Sequence, residues 1–318
     1  MKRPTASTAF LSARFPAAIA AAVLSSLLAA CGGGGGSNNS AATPPAVTQP
    51  TEPGAPTLSG NTALDGYNWI NYRRQQAGLP ALTRNALIDA SALGHSNYQR
   101  LNNTVSHTQT SGLPGFTGAT LSDRLRSAGY RSGGLVGEVI SAASDSSGFY
   151  HAEELIGAIY HRYLILEPVF REVGTGAATG SVYTYFTAEF GTGGTSAGVG
   201  RGNLVIYPSA NQTRVPTNFF SDTESPDPVP DQNEVGYPIS VQGDNSATVN
   251  VLTFTVRPRG GADLPVRLMT RLSDRETPLA AAAIVPLGVL KAATVYDVTF
   301  TGTVDGVTAN RSWSFTTK

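Results

Sequence analysis

The sequence is poor in cysteine, in charge and in long apolar runs, and each shortage excludes a class of protein. Cys31 is the only cysteine among 318 residues, which excludes an intramolecular disulfide and a metal site built from several cysteines. Charged residues are 14% of the chain, and 22 basic residues are balanced by 22 acidic ones. That balance excludes nucleic-acid binding through a broad basic surface. The length predicts about two domains.

The first 30 residues carry basic side chains and no acid, as export signals do. Three basic residues precede an uncharged stretch over residues 15–30 that is rich in Ala and Leu. This stretch is shorter than the roughly 20 residues that span a membrane. The stretch ends in Leu28-Ala29-Ala30-Cys31, which resembles the bacterial lipobox, where small residues precede the cysteine that receives lipid. We therefore predict a lipoprotein signal peptide in residues 1–30 and a lipidated Cys31 as the membrane anchor. Because Gly32 rather than Asp follows, we expect the outer membrane of a bacterial cell envelope.

Composition divides the remaining chain into two folded units and two linkers. Residues 31–60 are rich in Gly, Ser and Pro, with one charge and no aromatic side chain, so we predict a disordered linker. Residues 61–207 mix helical and strand patterns without regular alternation, which predicts an α+β fold. Residues 208–232 are rich in Pro, Asp and Asn and are predicted to be a second linker. Residues 233–318 show short strand patterns between turn residues and predict a small β-sandwich, similar to bacterial Ig-like surface domains.

Periodicity within the first unit predicts several helices and two strands. Apolar residues at helical spacing predict helices over residues 85–101, 121–128 and 152–160. Runs of aromatic and β-branched residues predict strands over residues 181–190 and 203–207.

Seven short motifs follow one another in order between residues 71 and 176. They are Asn71-x-x-Arg74, Gly78-Leu79-Pro80-Ala81-Leu82, Ser106-His107, Asp123-Arg124-x-x-x-x-Gly129-Tyr130, Gly137-Glu138, His161-Arg162 and Glu172-Val173-Gly174-x-Gly176. In this order they resemble the CAP superfamily of cysteine-rich secretory, venom-antigen and plant pathogenesis-related proteins, in its disulfide-free bacterial form. The resemblance implies an α–β–α sandwich with a surface cleft where two histidines and two acids meet.

The resemblance assigns three cleft residues directly. His107 corresponds to the first histidine, Glu138 to the acid of the Gly-Glu-Asn motif, and His161 to the second histidine. Val139 stands where the motif has Asn. No acid aligns with the second acidic position of the family.

A helical wheel over residues 152–161 supplies a candidate for the missing acid. Glu154 and His161 are seven residues apart and share the face opposite the apolar residues of this segment. We therefore expect Glu154 to be the second acid, with Glu153 as the next candidate.

Two imidazoles with carboxylates have three possible roles. They can hold zinc or another divalent metal with water in an open position. They can exchange protons near neutral pH. They can also bond one another and only stabilise the fold. Beyond Cys31 the sequence has no cysteine that could serve as a nucleophile. We expect His95 to be packed or exposed on its helix, and His151 to lie beside a helix N-terminus.

These observations favour a binding protein over an enzyme. We expect a lipid-anchored cell-envelope CAP protein whose cleft of His107, His161, Glu138 and Glu154 binds a divalent metal, a small or lipidic ligand, or both. An apolar groove between sheet and helices is where such a ligand would bind. The alternatives are a metal-dependent hydrolase acting on envelope or extracellular polymers, and a structural adhesin with a relict cleft. The oligomeric state stays open.

Overall fold

A computed structural model describes residues 52–194 and 197–318 of the chain. The predicted signal peptide, Cys31 and the predicted linker up to residue 51 lie outside the described residues.

The N-terminal unit is a four-stranded sheet covered by helices, and it confirms the predicted α+β class. The sheet has the strand order β1-β3-β4-β2, with β1 parallel to β3 and the other pairs antiparallel. Its elements are α1 (Thr62–Gln76), β1 (Thr83–Arg84), α2 (Ala86–Asn102), α3 (Leu121–Ser127), β2 (Val136–Ala143), α4 (Gly148–Gly157), α5 (Ile159–Ile165), β3 (Glu172–Thr179) and β4 (Thr184–Gly191).

Consecutive residues of β4 show that the helices lie on opposite faces of this sheet. The Phe186 ring stacks on His151 of α4, whereas the Thr187 hydroxyl accepts a hydrogen bond from Ser96 of α2. Because side chains alternate between the faces of a strand, α2 covers one face and α4 the other. The order of layers is therefore α–β–α.

Two glycines let α2 lie close against β3. A Cβ atom added at Gly174 would overlap the backbone of Ile88 and Asp89, and one added at Gly176 would overlap the backbone of Leu93. The last sequence motif therefore fixes the contact between helix and strand.

The C-terminal unit contains two antiparallel sheets, with strand orders β10-β11-β8-β5 and β13-β12-β9 in the described chain. Their strands and a separate pair, β6 with β7, are β5 (Val205–Tyr207), β6 (Asn218–Phe220), β7 (Glu234–Gly236), β8 (Ile239–Gln242), β9 (Val249–Pro258), β10 (Val266–Met269), β11 (Ala281–Pro286), β12 (Val295–Val304) and β13 (Val307–Thr316). Strand β5 was predicted in the first unit. It pairs with β8 instead, so the boundary between the units lies between β4 and β5.

The segment predicted to be the second linker is packed into the protein. Val215, Phe219 and Val229 are buried within residues 208–232, and the carboxyl group of Glu224 is also buried. The prolines of this segment suggested a linker, but the apolar residues between them supply enough buried area to hold it in place.

The described end of the first predicted linker is also ordered against α1. Glu52 forms an ion pair with the guanidinium of Arg73 at 2.6 Å, and the Tyr72 hydroxyl donates to the Pro53 carbonyl at 3.0 Å. Residues 52–60 therefore belong to the first folded unit.

Arg162 connects the two units at their shared core. Its guanidinium lies 4.8 Å from the Tyr207 ring centroid and 4.9 Å from the Tyr237 ring centroid. It donates hydrogen bonds of 2.7 Å to the carbonyl oxygens of Ile156 and Pro238. Because this buried guanidinium donates to carbonyl oxygens of both units, it also fixes the position of the preceding residue in the chain, His161.

Candidate functional site

Glu138 of β2 joins His107 to Arg124. Its Oε1 accepts a hydrogen bond from His107 Nδ1 at 2.8 Å, and its Oε2 accepts one from the Arg124 guanidinium at 2.5 Å. Burial works to raise the pKa of Glu138, but His95, Arg124 and the His107 hydrogen bond lower it below its usual range. Glu138 is therefore a carboxylate at neutral pH.

Glu189 of β4 lies directly opposite Glu138 in the strand register. Burial and the charge of Glu138 raise the pKa of Glu189 well above its usual value, which the charge of Arg124 offsets only in part. Two carboxylates that share one buried site cannot both ionise cheaply. Glu189 is thus the protonated member of the pair.

His95 of α2 is a packed residue of the same region. Its Nε2 donates to the Ser106 carbonyl at 2.8 Å, and its Nδ1 accepts from the Gln109 amide at 2.9 Å. Burial lowers its pKa to about 4, so the ring is neutral at pH 7. Both ring nitrogens are satisfied, which fits the packed role expected for His95.

His161 lies on α5 and is held by Glu224, which comes from the segment predicted to be a linker. The Glu224 carboxylate accepts hydrogen bonds from the backbone N–H groups of Ile159 and Tyr160, both at 2.8 Å, and from His161 Nδ1 at 2.9 Å. An acid here satisfies the free N–H groups at the start of α5. The same carboxylate orients the imidazole ring.

Glu154 and His161 do not share one helix as predicted. The helical segment is interrupted at Ala158, whose ψ of 121° is extended, so Glu154 lies on α4 and His161 on α5. The interruption frees the N–H groups that Glu224 binds. The assumption of one continuous helix is therefore wrong, although Glu154 and His161 still line one cavity.

A chain of hydrogen bonds joins Glu154 to His151 through Ser141 of β2. The Ser141 hydroxyl lies 2.9 Å from Glu154 Oε2 and 2.8 Å from His151 Nδ1, and His151 Nε2 donates to the Asp145 carbonyl at 2.9 Å. Burial raises the pKa of Glu154 and lowers that of His151 to about 4. His151 lies in the first turn of α4, so it is near the helix N-terminus as expected but within the helix.

A cavity of about 430 Å³ opens beside His161. Ser141, Glu153, Glu154 and His161 are among its polar lining residues. Its apolar wall is Val105, Ile140, Ala142, Leu155, Ala158, Pro216, Phe219 and Phe220. Its size and largely apolar lining are those of a small-molecule site.

The structure thus brings two of the four predicted cleft residues to this cavity. Glu154 and His161 line it, whereas His107 and Glu138 form the ion-paired cluster with Arg124. Within residues 52–194 and 197–318, no three His, Cys, Asp or Glu side chains are arranged to hold a metal ion. The four-residue metal set therefore stays a prediction of the sequence.

Sequence reasoning missed Ser141, Glu224 and the role of His151. Only the residue type of His151 drew attention to it, and nothing in the spacing connects Glu224 to a histidine 63 positions earlier. Such contacts arise from the tertiary fold.

Residues 67–190 match the family model of CAP, the cysteine-rich secretory protein family. This segment spans α1 to β4 and contains His107, Glu138, Glu154 and His161. The protein therefore contains a CAP domain, as the seven motifs predicted. No curated protein matches the chain.

Among solved structures, the chain is similar to three bacterial proteins. An extracellular protein containing a SCP domain from Bacillus anthracis is 26% identical with a TM-score of 0.36, and the match covers 45% of each chain. An outer surface protein from Borrelia burgdorferi is 18% identical with a TM-score of 0.33, over 39% of this chain and 87% of that one. A cysteine-rich secretory protein from Staphylococcus aureus is 15% identical with a TM-score of 0.32, over 42% of this chain and 38% of that one. The chain thus covers less than half of the Bacillus and Staphylococcus proteins.

Helices long and apolar enough to cross a membrane are absent from the described part of the chain.

Glu138 and Glu189 provide a matched pair of buried acids with opposite ionisation. We expect Glu138→Gln to destabilise the protein by about 3 kcal/mol at pH 7, because it leaves the buried Arg124 uncompensated. The loss should shrink below about pH 4.5, since a carboxyl with a lowered pKa loses its stabilising effect as the pH falls. Urea unfolding between about pH 2 and pH 8 measures both.

Glu189→Gln is the control for this prediction. Glutamine resembles a protonated carboxyl, so the variant should match or exceed the wild type in stability. Its advantage should grow from pH 4 to pH 8, because a raised pKa makes burial of the acid costlier as the pH rises. Equal losses from both substitutions would contradict the assignment of the two protonation states.

Proposed function

We propose that the protein is a cell-envelope CAP-domain protein that binds a small apolar or lipidic ligand in the cavity beside His161. The observation that carries the proposal is the cavity itself, which combines an apolar wall with a few polar groups at defined positions. Sites for small molecules have this composition, because apolar walls give affinity and the polar groups fix orientation.

The orientation of His161 supports binding at this place. Its Nδ1 is held by Glu224, and its Nε2 is buried without a hydrogen-bond partner. A buried polar atom without a partner costs free energy that a ligand can recover. The position of Glu154 on the same cavity adds a second polar group.

Metal binding is the second proposal, and one observation favours it. A histidine whose Nδ1 is bound by a carboxylate and whose Nε2 is open is the arrangement that zinc ligands commonly show. His161 with Glu224 has this geometry. Hydrolase activity would need this metal, so it depends on the same test.

The adhesin alternative rests on the C-terminal unit. We propose that its two antiparallel sheets form an Ig-like sandwich. Trp313 and Phe315 of β13 share a buried cluster with Ile239 of β8 and Ile284 of β11, so the core joins both sheets. Because Phe219 and Tyr237 of the C-terminal chain line the cavity, the unit also takes part in ligand binding.

Filling the cavity should weaken ligand binding. Ala142→Leu places three extra carbons against the cavity wall. We expect the affinity for the fluorescent apolar probe N-phenyl-1-naphthylamine to fall at least tenfold, because the probe loses apolar surface that it would otherwise bury. Titration of the probe into the full chain measures this.

Ala90→Leu is the matched control, since Ala90 is exposed on α2 and does not line the cavity beside His161. It should leave probe affinity unchanged, and thermal melting should show that both variants are folded. Failure of the wild type to bind any apolar probe would contradict the proposal.

His107 and His161 separate the metal proposal from the cavity proposal. The four-residue metal set needs both histidines, so His107→Ala and His161→Ala should each abolish stoichiometric zinc binding if that set exists. The cavity proposal expects only His161→Ala to change probe affinity, because His107 does not line the cavity. Zinc and probe titrations of the same preparations measure both effects.

The envelope location rests on the N-terminal motif. We propose that Cys31 is lipidated and that the lipid anchors the protein to the bacterial outer membrane. Cys31→Ser should shift the protein from the detergent phase to the aqueous phase in Triton X-114 partitioning, because the variant has no thiol to receive lipid. Partitioning of the wild type into the aqueous phase would show that no anchor is attached.

A further inference from the structure

The polar atoms of the cavity beside His161 have their hydrogen positions set by neighbours, and this restricts the ligand's headgroup. Glu224 accepts backbone N–H groups of α5, so it acts as an acceptor toward His161 Nδ1 as well. In its neutral form the imidazole then carries a lone pair at Nε2. This nitrogen is buried and has no hydrogen-bond partner, and it belongs to a residue that lines the cavity. His161 therefore presents an acceptor.

The hydrogen-bond chain through Ser141 has no proton left for a ligand. The Asp145 carbonyl can only accept, so the proton of His151 toward it lies on Nε2. The serine carries one proton and contacts two acceptor-capable atoms, His151 Nδ1 and Glu154 Oε2. One further proton, on either Glu154 or His151, satisfies both contacts.

Both placements of that proton have the same consequence for the cavity. With the proton on Glu154 Oε2, the acid donates to Ser141 and the serine donates to His151. With the proton on His151 Nδ1, the direction of donation is reversed. In each case the serine proton is used and the second oxygen of Glu154 holds lone pairs.

Two further lining residues carry a buried polar atom without a partner. Glu153 accepts from Trp69 Nε1 and from Arg73 through Oε2, which leaves its buried Oε1 as an acceptor without a partner. The Tyr237 hydroxyl is also buried without a partner and can donate. The lining residues thus offer several acceptors and the buried phenolic donor of Tyr237.

We infer that the ligand of this cavity is an uncharged apolar molecule bearing a hydroxyl group, an inference that rests on the proposed function. A hydroxyl can donate to the acceptors and accept from Tyr237. A carboxylate would face the lone pairs of Glu153 and Glu154. An ammonium group can donate to these acceptors, but it has no lone pair to accept from the Tyr237 hydroxyl.

An anionic headgroup could instead form an ion pair with Lys318. This lysine lines the cavity but is exposed, so its ammonium group stays hydrated. The buried polar atoms therefore decide the headgroup, and an anion held by Lys318 is the outcome that opposes the inference.

Four ligands that share an eight-carbon chain and differ in their headgroup test the inference directly. We expect 1-octanol to bind the full chain about tenfold more tightly than octyl methyl ether, which lacks the donor proton, in line with one hydrogen bond. Octanoate and octylamine should bind more weakly than 1-octanol. Isothermal titration at pH 8 measures all four.

Two variants locate the hydroxyl. Tyr237→Phe and His161→Phe should each bring the affinity ratio between 1-octanol and octyl methyl ether towards one. Tyr185→Phe is the matched control, because Tyr185 bonds Asn103 and does not line the cavity. It should keep the ratio of the wild type.

The outcomes separate this inference from the proposed function. Octanoate binding as tightly as 1-octanol, or a ratio near one in the wild type, overturns the hydroxyl assignment while ligand binding stands. Absence of binding by all four ligands overturns the proposed function together with the inference.

Discussion

The buried carboxylate of Glu224 is the contact on which the site depends. It binds the N–H groups that become free where the helical segment is interrupted at Ala158, and it fixes the ring of His161. Without it, a buried helix terminus would keep unsatisfied donors, which costs more than an ordinary surface contact can restore. Glu224 lies outside the segment that matches the CAP family, yet it fixes a cavity residue, His161, inside that segment.

His107 and His161 differ in their chemical surroundings. The cluster of Glu138, Arg124 and His107 is an ion-paired network in which the carboxylate accepts from both partners. Buried polar atoms without partners occur in both places, at Arg124 and Glu189 beside the first cluster and at His161 in the second. Of these three residues, His161 lines the cavity of about 430 Å³, where a ligand can approach, whereas the ion pairs of the first cluster stabilise the fold. The first set holds the sheet to its helices, and the second is the candidate for binding.

Local sequence patterns predicted the elements that are stabilised by contacts between residues close together in the sequence. The periodic residues over 85–101 correspond to α2 (Ala86–Asn102), and the ordered motifs identified the CAP domain. The interruption at Ala158 could not be predicted, because the apolar periodicity continues through it and the carboxylate that binds the freed N–H groups lies 63 positions away from His161. The segment over 208–232 was misjudged for a related reason: its prolines indicate exposed chain, but Phe219 and Glu224 are buried by tertiary contacts.

The cavity has two sources, and this bears on what determines its specificity. Leu155 and His161 belong to the segment that matches the CAP family, whereas Phe219 and Tyr237 come from chain beyond it. Arg162 connects these parts through carbonyl oxygens on both sides. Because the two walls are joined by a buried cation, they cannot move independently without exposing an unpaired charge. Under the proposed function, ligand selection should therefore vary with the C-terminal unit as much as with the CAP domain itself.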